Sequence, residues 1–265
     1  MIARLYHRLF LDHWEKINRA AAEDREKHPG FDHRPLVVMI VVALVLIFQQ
    51  YYGDRPEFEL LFSRYAGAHY FKLAGFAWWA GSKVFGYLVI PIVVIKALGG
   101  RLSDYGLRLR GFSRHVWIYL ALYLAIVPVI VIASHTRAFE ATYPFYKLAA
   151  RSWTDLFAWE LMYAASFLAL EVFFRGFMLF ALERTMGAYA IFVMIVPYCM
   201  IHFNKPVTEV TGAIFAGIIL GTLSMATRSI WCGVLIHISV AWSMDLLALI
   251  HTYGLPGSGR FIAPS

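Results

Sequence analysis

Glu171 and Arg175 lie in the run Leu168-Ala-Leu-Glu-Val-Phe-Phe-Arg-Gly-Phe-Met-Leu-Phe-Ala-Leu182, a segment apolar enough to cross a bilayer. A charge at the bilayer centre costs roughly 2.5–3.5 kcal/mol on insertion scales, so charges there usually mark function. Four residues apart with the acid first, the two share one helical face in the favourable order. Two later apolar segments each carry one mid-span histidine, His202 in Tyr198-Cys-Met-Ile-His-Phe-Asn-Lys-Pro206 and His237 in Cys232-Gly-Val-Leu-Ile-His-Ile-Ser-Val-Ala241. A carboxylate with two imidazoles can activate a water, relay protons or hold a metal. The plainer readings are a buried ion pair that staples helices and two interhelical hydrogen bonds.

Helices must position these groups, and the composition supplies them. The chain is 60% hydrophobic and only 15% charged, with a mean hydropathy of +0.61. Soluble domains average about 45–50% and 25%, so the pattern is that of a polytopic membrane protein. Apolar segments at 36–52, 70–98, 115–134, 154–182, 187–203, 207–226 and 230–252 predict an all-α transmembrane helical bundle of about seven spans. Lys83 falls inside the second of them, and Glu57–Tyr65 just before it reads as an interfacial helix. In the N-terminal segment, Ile2, Leu5, Leu9, Trp14 and Ile17 recur at helical spacing among Arg4, Arg8, Lys16 and Arg19, which predicts an amphipathic interfacial helix. No cleavable signal peptide is expected there. The organisation is then a cytoplasmic segment 1–35, a membrane domain 36–252 with its chemistry in 154–252, and a tail 253–265.

The formal charge of +7 comes without a compact basic motif, so membrane lipids rather than nucleic acid are the expected partner. Lysine and arginine are densest in the N-terminal segment and in the loop holding Arg101, Arg108, Arg110 and Arg114, which predicts a cytoplasmic N-terminus. Cys199 and Cys232 both fall inside apolar segments, against a disulfide framework. Other polar groups are supporting candidates. Tyr198 lies one turn before His202, Asn204 follows it, and Glu209 opens the next span, where it suits the helix dipole. Glu160 shares the face of Glu171 but lies ~16 Å away along the axis. Asp245, two turns past His237, is a better-placed spare acid. Gly176 suits close helix approach, as do Gly212, Gly217 and Gly221.

The order Glu171-Val-Phe-Phe-Arg175, Tyr198-Cys-Met-Ile-His202 and His237-Ile-Ser-Val-Ala241 resembles the CPBP/Abi family, the type II CAAX prenyl endopeptidases and their bacterial relatives. The resemblance covers about residues 85–250 and includes the stretch Leu102-Ser-Asp-Tyr-Gly-Leu-Arg108. The chain departs from the family pattern twice. The pattern begins with two adjacent glutamates, the first credited with activating water, and Leu170 stands there. The pattern ends in Asn or Asp four residues after the last histidine, and Ala241 stands there.

The resemblance implies an intramembrane endopeptidase of a bacterial inner membrane that cuts a membrane-anchored peptide or protein. In that reading Glu171 is the general base, His202 positions the water or shares its proton, His237 donates to the oxyanion and Arg175 orients and ionises Glu171. A Zn²⁺ held by Glu171, His202 and His237 is the alternative chemistry for the same residues, although the His-Glu-x-x-His spacing is missing. Leu170 and Ala241 favour a rival, an inactive relative that binds a peptide or partner as an immunity or scaffold protein. A small transporter or proton channel is the second rival, weakened by the lack of internal repeats.

Overall fold

The computed structural model describes residues 7–109 and 115–258. Ile2, Arg4, Leu5, Arg110, Arg114 and the end of the tail lie outside the described residues. Among those described there are helices and no strand, as hydrocarbon demands when every backbone N–H must find a partner within its own segment. The main helices are α1 (Asp12–Lys27), α2 (His33–Tyr51), α3 (Phe71–Ala97), α4 (Val116–Ala133), α5 (Trp153–Met186), α6 (Tyr189–Met200), α7 (Val207–Thr227) and α8 (Trp231–Tyr253).

Six of these, α2, α3, α4, α5, α7 and α8, are long and apolar enough to cross a membrane. This corrects the expectation of seven spans. The segment 187–203 forms only the 12-residue α6, which contains Pro197 and gives way to turns ahead of Pro206. The helix runs through Pro197 to Met200, and Pro206, which cannot donate to a helical ladder, follows the turns. α5, by contrast, is a helix of 34 residues, ~51 Å long and well beyond a ~30 Å hydrocarbon core.

The residues group into two compact units, Met1–Val45 with Val89–Ser113 and Glu171–Gly233, and Leu46–Leu88 with Arg114–Leu170 and Val234–Ser265. In the first unit α1 is packed against protein. Ile17 and Ala21 are buried, Trp14 Nε1 donates to Thr222 Oγ1 at 3.0 Å, and the Trp14 ring meets Phe192 edge-on at 5.2 Å. Part of the apolar stripe of the expected amphipathic helix is thus covered by protein, at Phe192 and Thr222. Asn18 Oδ1 accepts from Ala188 N at 2.8 Å, and Arg25 donates to the carbonyls of Arg184 and Thr185 at 3.0 and 3.1 Å. Those two bonds satisfy carbonyls that the last turn of α5 leaves without an intrahelical partner. Arg184 in turn pairs with Asp24 at 2.8 Å, and Arg228 with Glu183. Arg108 Nε donates to the Arg228 carbonyl at 3.2 Å, so one end of this unit gathers the N-terminal helix and the basic loop.

α6 and α7 form an antiparallel hairpin in the same unit. A Cβ on Gly217 would stand 2.6 Å from Ile195 Cγ1, and one on Gly221 3.1 Å from Ile191 Cγ2. The small residues let the two backbones close to within reach of those isoleucines, as membrane helix pairs require.

The second unit is built on aromatic packing. Phe76, Tyr146, Trp159 and Tyr163 share a buried cluster with Leu156, Ala241 and Leu249, and the Trp159 and Tyr163 rings stack at 4.7 Å. Its polar lock is Asp155, fully buried. Arg151 reaches both carboxylate oxygens, at 2.9 and 2.6 Å, and also donates to the His69 carbonyl at 2.8 Å. Tyr146 donates to the same carboxylate at 2.5 Å, and burial and that bond push the Tyr146 phenol well above its ordinary range. Lys147 donates to the carbonyls of Glu140 and Tyr143 at 3.1 and 3.0 Å and lies 5.5 Å from the Tyr253 ring centroid. Burial pushes its ammonium down to about 8.

Candidate functional site

Glu171 and Arg175 are both fully buried, and Arg175 Nη1 donates to Glu171 Oε1 at 2.5 Å. Here α5 widens into a π-helical stretch, Val172–Met178, with Arg175 at its centre. Such widened turns are uncommon and concentrate at functional sites. Gly176 explains part of the local geometry. A Cβ there would stand 3.1 Å from the Tyr105 carbonyl oxygen and 3.6 Å from Leu107. The partner that comes close to Gly176 is thus the short 3₁₀ turn Leu102–Tyr105 with Leu107 just after it, not another of the main helices. That turn is held by Gly106, at φ +77, whose carbonyl accepts from Ile230 N at 3.1 Å.

The guanidinium carbon of Arg175 lies 4.2 Å from the Tyr198 ring centroid, a desolvated cation–π contact. Phe174 meets the same ring edge-on at 5.4 Å. Tyr198 thereby backs the ion pair from α6. Its own carbonyl then orients the histidine, with His202 Nδ1 2.7 Å from the Tyr198 oxygen. A carbonyl only accepts, so Nδ1 carries the proton, and Nε2 of the neutral ring holds the lone pair. The chain of contacts from Glu171 through Arg175 and Tyr198 to His202 brings four predicted residues together in the first unit. Pro206 ends the turns after α6 and directly precedes α7, which fixes where His202 stands, as its position in the sequence predicts.

The remaining candidates divide. Glu209 sits in the first turn of α7 and pairs with Lys205 at 2.5 Å. Asn204 is exposed in the turn after His202. His237, Glu160 and Asp245 belong to the second unit. There the His237 ring stacks on Phe167, centroids 5.2 Å apart and planes at 20°. Asp245 is fully buried and accepts from Trp159 Nε1 at 2.6 Å, while Glu160 is partly buried. Among the described residues no group of three His, Cys, Asp or Glu side chains is disposed to hold a metal ion. Sequence reasoning missed Trp159 as the partner of Asp245 and the Tyr105 carbonyl as the neighbour of Gly176.

Residues 151–243 match a family model described as type II CAAX prenyl endopeptidase Rce1-like. Searches of curated proteins and of solved structures found no match.

Proposed function

We propose, from the match of residues 151–243 to the Rce1-like family model, that this chain is an intramembrane endopeptidase of the CAAX protease/Abi type. The observation that carries the reading is the fully buried Glu171–Arg175 pair backed by Tyr198, the residue whose carbonyl sets the His202 tautomer. The reaction is hydrolysis of a peptide bond in a membrane-associated, lipid-anchored chain. A water held by His202 Nε2 gives a proton to Glu171 as its oxygen adds to the scissile carbonyl carbon. The C–N bond then breaks, and the proton passes to the leaving amine. Arg175 orients Glu171, and His237 keeps the oxyanion-donor role that its motif position suggests. The site is that of a bacterial inner-membrane protein with a cytoplasmic N-terminus, as the distribution of basic residues supports. Glu160, Asn204, Glu209 and Asp245 have supporting roles in this reading.

A second reading has its own observation. Leu170, buried, occupies the position of the first family glutamate, and Glu171 Oε1 is already engaged by Arg175. Both favour a relative that binds a peptide without cutting it. Wild type and Leu170→Glu, reconstituted in liposomes with a prenylated CAAX peptide, separate the two. Cleavage by wild type supports the endopeptidase. Binding without cleavage by wild type, with cleavage gained in Leu170→Glu, supports the binding relative.

A further inference from the structure

We infer that Gly233 is a positioning residue for Glu171, and that the first turn of α8 forms the second side of the carboxylate's seat. Only the functional consequence of this inference rests on the hydrolytic reading. Gly233 is the third residue of α8. The three atoms nearest to a Cβ built on it all belong to the Glu171 carboxyl group: Oε2 at 2.7 Å, Cδ at 3.4 Å and Oε1 at 3.9 Å. A carbon and a carboxylate oxygen do not approach to 2.7 Å, so any side chain at 233 must displace the carboxylate. That carboxylate cannot give way cheaply. It is fully buried, and its Oε1 is held by Arg175 at 2.5 Å.

The glycine therefore lets Glu171 close onto the start of a helix. The first turn of α8, Trp231 to Gly233, carries backbone N–H groups without intrahelical acceptors and the positive end of the helix dipole. Oε1 takes the guanidinium's hydrogen bond and Oε2 lies against this turn, so the buried carboxylate is bounded on two sides. A side chain at 233 would break the second contact and tilt the first. Backbone conformation does not call for glycine here, because Gly233 lies within a helix and has no positive φ.

Helix propensity makes the test one of sign. Alanine is the better helix former, so Gly→Ala at an uncrowded helical site raises stability. Here Gly233→Ala is expected to lower the melting temperature in detergent by roughly 3–10 °C, the scale of overpacking in a tight site. The same substitution in a Glu171→Ala background is expected to become neutral or stabilising, because the colliding oxygens are gone. Glu171→Ala leaves a buried arginine behind, so the cycle is repeated in Glu171→Leu/Arg175→Met, which removes both charges. An equal fall in all three backgrounds would overturn the inference and make Gly233 a glycine of helix packing alone.

With a cleaved peptide in hand, Gly233→Ala is expected to lower kcat about 10²-fold, as a misplaced catalytic group does, with KM little changed. A rise in KM with unchanged kcat would overturn the functional part. If wild type cleaves nothing, the hydrolytic reading fails while the melting cycle still decides whether Gly233 seats Glu171.

Discussion

Glu171 and Arg175 stand in a place where neither charge survives alone. Removing one partner of a buried pair leaves an uncompensated charge, which costs ~3–5 kcal/mol, whereas replacing both by apolar groups is often near neutral. Glu171→Ala and Arg175→Ala are each expected to lower unfolding stability on that scale. Glu171→Leu/Arg175→Met is expected to lose much less, as read by denaturant or thermal unfolding in detergent. Single and double variants that fall alike would mean that the pair is not coupled. At this scale the sequence was legible for residue types that hydrocarbon penalises, because an acid, a base and an imidazole stand out in an apolar run. It was silent on the Tyr198 carbonyl that sets the His202 tautomer, since every residue has one. It was silent too on the clearance at Gly233, since glycine in a membrane helix ordinarily reads as packing.

The helices themselves were legible where apolar runs are unbroken, and α2, α4 and α7 lie close to their expected places. The run 187–203 misled because hydropathy counts methylenes and does not see where turns fall, and the turns at 187–188 and ahead of Pro206 leave a helix of 12 residues. The loop between α4 and α5 carries a further consequence at the scale of an element. Lys147 is half-buried on the carbonyls of Glu140 and Tyr143, and its ammonium titrates at about 8 when folded, against ~10.4 in an unfolded chain. Between those values the unfolded chain holds a proton that the folded one has shed, so stability rises with pH across about 8–10. Partial exposure reduces the size of the rise. Tyr146 acts in the opposite sense, its raised phenol costing stability as pH climbs past its ordinary range near 10. Thermal unfolding from pH 7.5 to 9.5 is expected to give an upward slope in wild type and a flatter one in Lys147→Met. Equal slopes would remove Lys147 from the account.

On the scale of the whole molecule, composition and the span-length apolar runs were enough to imply an all-α polytopic membrane protein, because soluble domains average a lower apolar fraction and lack such runs. The docking of α1 was not legible, since an amphipathic helix shows the same stripe whether lipid or protein covers it. Trp14 on Thr222 and Asn18 on Ala188 show that protein covers part of it. The match of residues 151–243 to the Rce1-like family model, Leu170 and the buried Glu171–Arg175 pair bear on one question, which is whether this bundle cuts peptides. The most direct measurement is the rate of cleavage of a prenylated, membrane-anchored peptide by wild type, Glu171→Gln and His202→Ala in proteoliposomes, with folding of each checked by its melting curve. The account predicts cleavage by wild type and a loss of about 10²–10⁴-fold in each folded variant, the range for removal of a general base or its partner. Variants that cleave as fast as wild type would contradict it, as would a folded wild type that cleaves nothing.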